Sequence, residues 1–239
     1  MIERHLAKLR ARDEVGTAEE AAIRAAIAEY REYPADHRFI RVRQELDHST
    51  LLVEGWACRY KDVRNGQRQI SELHVAGDFV DLHSFTLKHL DHDVMTLTPT
   101  RVAIVPHENL RTITEQFPHL TRLYWFNTNL DAAIHREWEV SLGRRTALAR
   151  VATLLCELRA RLEVVGLADE HGFDLPLTQG DLADCLGLTN IHVNRMLKEL
   201  REQGVVEVQQ GRVSIRDLAA LRRIGEFDPT YLYLDRRRR

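Results

Sequence analysis

The stretch TNIHVNRMLKELREQG, residues 189–204, gathers side chains of the types that read base edges in duplex DNA. An arginine bonds guanine bidentately, an asparagine does the same to adenine, and an apolar side chain packs on the thymine methyl group. Val193, Met196, Leu197 and Leu200 fall at i, i+3, i+4 and i+7, the spacing of one buried helical face. At about 100° per residue the opposite face carries Ile191, Arg195, Lys198 and Glu202, flanked by His192 and Asn194. A recognition helix reads bases with its N-terminal residues and meets phosphates with later cations. That order assigns Asn190, Ile191, Asn194 and Arg195 to bases and His192 and Lys198 to phosphates, with Thr189 capping the helix beside them. A helical hairpin with a merely solvated polar face is the competing reading. Ile191 argues against it, because an outward isoleucine gains nothing from water.

The elements needed to position this helix are written around it. Thr178 and Asp181 form a capping box that opens a first short helix, and Gly187 supplies its end. After Gly204, VVEVQQGRVSI reads as a hairpin turning at Gln210-Gly211, a wing beside the DNA backbone. Charge argues the other way: residues 173–210 hold three basic and six acidic side chains, whereas phosphate neutralisation dominates DNA affinity. Further cations would come from Arg212, Arg216, Arg222, Arg223 and the four arginines after Asp235, or from a second copy of the chain. The arginine tail reads equally as a solvated extension.

The remaining chain divides by texture. Residues 1–33 read as a helical segment, with Thr17 as N-cap of TAEEAAIRAAIAEY. Residues 34–116 carry short β-type runs, among them FIRVR, TLLVEGWACRY, FVDL and RVAIV, with a hairpin signal at Asn65-Gly66. They predict a small antiparallel sandwich or jelly roll. Residues 117–143 predict one long helix broken at Gly143, on which Leu123, Leu130, Ile134 and Trp138 form an apolar stripe. That stripe is longer than one small domain covers, so part of it is expected to dimerise two copies. Residues 144–239 hold a second helix, the linker-like VVGLADEHGFDLP, the two short helices and the tail. The fold class is α+β.

Cys58, Cys156 and Cys185 are scattered, which argues against a disulfide framework, zinc knuckle or iron–sulfur cluster and suits a reducing cytoplasm. Cys156 and Cys185 read as core residues. No apolar run reaches the roughly 18 residues of a membrane helix, and the charged start MIERHLAKLRARDE is unlike a signal peptide. The strand region lacks an H-x-H triad, and no Ser/His/Asp set or glycine-rich phosphate loop stands out, so no catalytic residue is expected.

LTQGDLADCLGLTNIHVNRMLKELREQGVVEV resembles the winged helix-turn-helix of the Crp/Fnr transcription regulators, and LVEGWACRYKDVRNGQRQISELHVAGDF resembles their N-terminal β-roll. The resemblance runs from about residue 30 to 224. It implies a cyclic-nucleotide-binding-like sensory β-roll, a long dimerisation helix and a DNA-binding domain, hence a homodimer on a palindromic operator, with contacts to the transcription machinery in reach. The family's base-reading positions fall on Asn190, Ile191, Asn194 and Arg195. Ile191 stands where many members carry a glutamate that accepts from cytosine, so thymine or indifference is expected there.

The resemblance also shows what is missing. Cyclic-nucleotide binders of the family hold ribose with a Gly-Glu pair and phosphate with Arg-Ser or Arg-Thr. Here Asp81 is the only nearby acid, and the arginine's place reads Leu90, Asp91, His92, Asp93, whose carboxylates would repel a phosphate. Residues 1–33 contain no cysteine for an iron–sulfur centre. Asp81, His83 and His92 are left as candidate effector-pocket residues, and His83, His89, His92, Asp91 and Asp93 as a metal set whose plainer reading is a solvated polar loop. The effector and any cofactor are unknown from sequence. The alternative function is a ligand- or metal-binding sensor or interaction module whose helical domain binds DNA weakly or not at all.

Overall fold

The computed structural model describes residues 1–64 and 66–239, which form two compact units. The first comprises residues 1–61, 72–132 and 233–239, and the second residues 62–71 and 133–232.

The first unit opens with helices α1 (Glu3–Arg10) and α2 (Thr17–Ala25). Gly16, not Thr17, is the N-cap of α2, its N–H donating to Glu19 at 2.9 Å. The helical reading of residues 1–33 also runs too far. Strand β1 (Glu29–Tyr33) follows, because the β7 edge pairs it from Glu29↔Ile104 to Tyr33↔Thr100, and tyrosines fit a pleated surface better than a helix. Strands β2 (Arg38–Ile40), β3 (His48–Glu54), β4 (Ala57–Asp62) and β5 (Arg68–His74) come next. Asn65 of the expected Asn-Gly turn lies outside the described residues. A short helix α3 (Ser84–Leu87), strands β6 (Asp93–Thr96) and β7 (Thr100–Pro106), helix α4 (His107–Gln116) and the long α5 (Pro118–Arg144) complete the run. Of the expected strand FVDL only Phe79 bridges, to Leu51.

Two sheets result, ordered β1-β7-β3 and β2-β6-β4-β5. Period-2 alternation splits the core between two layers. Leu52, Val102 and Ile104 join Ile40, Ala57 and Val94, while their neighbours Leu51, Val53, Ala103 and Val105 pack with Leu6, Leu110, Leu120 and Leu123 of the helices. With both faces covered, β3 and β7 read as continuous apolar runs.

Helix α5 ends at Arg144, one residue past the break expected at Gly143. The next helix, α6 (Ala147–Val164), is started by Thr146, which accepts from Ala149 N–H at 3.2 Å. The dimerisation stripe is also corrected. Leu123, Leu130, Ile134 and Trp138 are all buried within this single chain. Leu123 joins the core of the first unit, and the Trp138 indole donates to buried Glu157 of α6 at 3.0 Å. Apolar side chains at helical spacing mark a covered face without saying what covers it. The large apolar residues α5 leaves in solvent are Trp125, 67% exposed, and Val140.

The second unit continues with β8 (Gly172–Asp174), α7 (Gln179–Leu186), α8 (Asn190–Glu202), β9 (Val206–Gln209), β10 (Arg212–Ile215) and α9 (Leu218–Gly225). The stretch read as a linker supplies β8, which pairs with β10 and makes the wing three-stranded, in the order β8-β10-β9. Three residues are too few to show a period in sequence. The tail is not part of this unit, and residues 233–238 are exposed. Residues 233–239 return to the first unit, where Arg237 N–H donates to the Arg12 carbonyl at 2.9 Å and the Arg239 guanidinium lies 3.9 Å from the Phe126 ring centre.

Candidate DNA-reading surface

Local rules place α7 and α8. Thr178 accepts from Asp181 N–H at 3.1 Å while the Asp181 carboxylate accepts from Thr178 N–H at 2.7 Å, a reciprocal cap that starts α7. Gly187 ends it with φ +60, a left-handed conformation that costs a side chain strain. Thr189 then caps α8 by accepting from His192 N–H at 3.3 Å. Val193, Met196 and Leu200 are buried, fixing which face of α8 turns inward.

The opposite face is the predicted one. Asn190, Ile191, His192, Asn194, Arg195 and Lys198 are all exposed, and Ile191, at 81%, is the most exposed large apolar residue described. Arg195 makes no hydrogen bond or ion pair among the described residues, so its five donors are available. Lys198 is only loosely held, 3.6 Å from Glu202. His192 is tied to its own cap, Nδ1 lying 3.3 Å from the Thr189 hydroxyl.

Asn194 is not free in the same sense. Its side-chain amide and that of Gln179 on α7 form a reciprocal pair, each donating one N–H and accepting one. Bidentate reading of adenine needs that same donor and acceptor, and in this structure both are engaged by Gln179. Gln179 escaped the sequence reading because nothing local links residues fifteen apart on two helices. On the wing, Arg212 pairs with Asp174 at 2.9 Å and Arg216 with Glu207 at 2.7 Å.

Residues 149–224 match the Crp-like helix-turn-helix domain and residues 30–117 the cyclic nucleotide-binding domain. The chain is 32% identical over 209 residues to the transcriptional activator protein FnrL of Cereibacter sphaeroides, a match covering 85% of this chain and 83% of that one. The chain belongs to the Crp/Fnr family. It is a DNA-binding transcription regulator with the family's architecture of β-roll, long helix and winged helix-turn-helix. A probable transcriptional activator of Rhizobium leguminosarum bv. viciae is 34% identical over 176 residues, 72% of this chain and 71% of that protein. FixK2 of Bradyrhizobium japonicum superimposes with a TM-score of 0.76 at 26% identity, covering 83% of this chain and 97% of FixK2.

In this Crp/Fnr member the roll does not gather Asp81, His83 and His92 around one opening. Asp81 is wholly buried and accepts from Thr50 N–H at 2.5 Å. His92 Nδ1 meets Asp91 at 2.8 Å, and its ring lies 5.5 Å from that of His83. Asp91 also takes Lys61 at 2.6 Å, and Asp93 accepts from Val42 N–H at 3.1 Å. Among the described residues no three histidines, cysteines or carboxylates stand where they could hold one metal ion. The interior holds instead a buried ionic cluster that sequence reasoning missed. Arg59 of β4 donates to Glu72 of β5, to Asp131 of α5 at 3.0 Å and to the Val80 carbonyl at 2.7 Å. Strand parity could have found it, since Arg59 shares a side with buried Ala57, and Glu72 with buried Ile70.

Burial pushes the Asp81 carboxyl up to about 7, against the opposing pull of the Thr50 N–H and of Arg59. With its folded pKa above the ordinary value near 3.9, the unfolded chain releases this proton first as pH rises. Stability contributed by protonated Asp81 is therefore full below about pH 4 and lost as pH climbs through 7. Asp81→Asn, which keeps the acceptor for Thr50 and cannot ionise, is expected to gain on the native protein between pH 5 and pH 8 by on the order of a few kcal/mol. Urea midpoints of both proteins at the two pH values measure it. A constant gap would refute the assignment.

Proposed function

We propose that this regulator acts in the cytoplasm, without catalysis, as a homodimer that binds a palindromic operator through α8. The observation carrying the reading is the free, outward Arg195 beside outward Asn190 and Ile191 on a capped, well-packed helix. Asn190, Ile191 and Arg195 read bases, Ile191 preferring a thymine methyl or giving no preference. Asn194 acts through its pair with Gln179, while Thr189, His192 and Lys198 face the phosphates. A second copy packs along the exposed stripe of α5 formed by Arg122, Trp125, Asn129, Arg136 and Val140, in place of the buried stripe read from sequence. A twofold pair sets two recognition helices about one DNA turn apart, roughly 34 Å. Contacts to the transcription machinery belong to the same reading. Among the described residues no helix is long and apolar enough to cross a membrane.

Selection of bound sequences from random DNA by the purified full chain, at two salt concentrations and without added ligand, tests the proposal. An enriched inverted repeat with steeply salt-dependent affinity is expected. Binding that enriches no sequence, or only a single half-site, would overturn the dimeric reader. It would favour the module whose acidic helical domain binds DNA weakly, a reading supported by the wing arginines already being paired.

A further inference from the structure

We propose that a cavity of about 400 Å³ in the first unit, bounded by α3, α4 and the first turns of α5, binds an uncharged, largely apolar small molecule, the effector of this regulator. The proposal rests on the sensor-regulator reading above. The volume lies in the range of about 300–1,000 Å³ that small-molecule sites occupy.

The lining states the ligand's chemistry. Leu82, Phe85, Leu110 and Tyr124 form its walls and Trp125 is exposed at its edge. No carboxylate, lysine or arginine lines it, and His83 is the only side chain there that takes a positive charge. A charged ligand would therefore shed its water without gaining a paired counter-ion. Besides the His83 imidazole and the Trp125 indole N–H, the polar side-chain groups are hydroxyls, and most are committed. Thr86, Thr114, Thr121 and Thr128 donate to the carbonyls of His83, Arg111, Phe117 and Trp125 at 3.2, 2.8, 3.1 and 2.8 Å, leaving only lone pairs for a ligand. Tyr124 differs: it is 5% exposed and its hydroxyl makes no hydrogen bond among the described residues. It is the buried uncommitted donor described at the site, the indole N–H of exposed Trp125 being a second at the edge. The ligand that matches is an aromatic or alicyclic body with one carbonyl, ether or hydroxyl oxygen to accept from Tyr124.

Among the described residues the interior of the roll carries the buried, hydrogen-bonded Arg59, Glu72 and Asp81, a setting that disfavours an apolar body. The cavity also shares α5 with the proposed dimer face: Tyr124 lines it and Trp125 belongs to both. A ligand there bears on the face through which the two copies meet.

Two fluorescent probes that differ by one sulfonate decide the matter: N-phenylnaphthylamine, which is neutral, and its anilinonaphthalene sulfonate analogue. Titrated into the full-length protein, the neutral probe is expected to bind saturably at one site per chain. The sulfonate should bind at least roughly tenfold more weakly. Thr114→Phe, which fills the cavity from a half-exposed position, should abolish binding of the neutral probe while the cooperative melt and operator binding persist. Equal affinity for both probes, no saturable binding, or unchanged binding by Thr114→Phe would each overturn the proposal. Loss of the melt in Thr114→Phe moves the decision to Leu82→Phe, held to the same criteria. If the native protein binds the neutral probe as expected yet selects no inverted repeat, the dimeric-operator reading fails and the cavity assignment stands.

Discussion

Arg195→Ala is expected to abolish discrimination at one base pair of each half-site while leaving the fold intact. The guanidinium stands on the outward face of α8, exposed and unpaired, so its removal strands no buried partner. A good bidentate arginine–guanine contact is worth about 1–3 kcal/mol of discrimination, roughly five- to 150-fold per half-site, and a palindrome engages it twice. Competition between the selected operator and a scrambled duplex at one fixed salt concentration measures the ratio, and a thermal melt checks the fold. An unchanged ratio would remove Arg195 from the reading set. Lys198→Ala provides the contrast: a phosphate contact weakens both duplexes alike and lowers the salt slope by about 1.

The second large effect is expected in the core of the roll. Arg59→Ala should destabilise the protein by about 3–5 kcal/mol, the cost of removing one partner from a buried pair. Glu72 is as buried as Arg59, and Asp81 is wholly buried nearby, so the loss of the guanidinium takes from buried carboxylates the cation that Glu72 and Asp131 share. The double variant Arg59→Met, Glu72→Leu removes the charge on both sides and should recover much of the loss, since well-packed apolar replacements of a buried pair are often neutral. Urea unfolding of the three proteins decides it. A loss under about 1 kcal/mol for Arg59→Ala, or no recovery in the double variant, would show that the cluster does not hold the roll together.

The DNA-reading unit was legible in sequence because its determinants are local. The Thr178–Asp181 cap, the left-handed Gly187 and the Thr189 cap each act within a turn or two of helix and stand as expected, and of the apolar set Val193, Met196 and Leu200 are buried while Leu197 is half-buried. The roll was legible as a class, from short runs and turn residues, but not in its details. The three-residue β8 and the switch from helix to strand at Glu29 depend on partners forty and seventy-five residues away, Arg212 to Ser214 and Ile104.

Sequence alone determined which residues of α8 face outward, since backbone geometry and side-chain period set that over a dozen residues. Only the tertiary structure decided what covers each apolar face and where each charge finds its partner. The stripe Leu123, Leu130, Ile134 and Trp138 has the same spacing whether it meets its own chain or a second copy, and the folded chain buries it. Arg59 reads as an ordinary strand cation until β5 and α5 bring Glu72 and Asp131 to it. Burial and pairing are properties of residues far apart in the chain, and a local pattern carries no record of them.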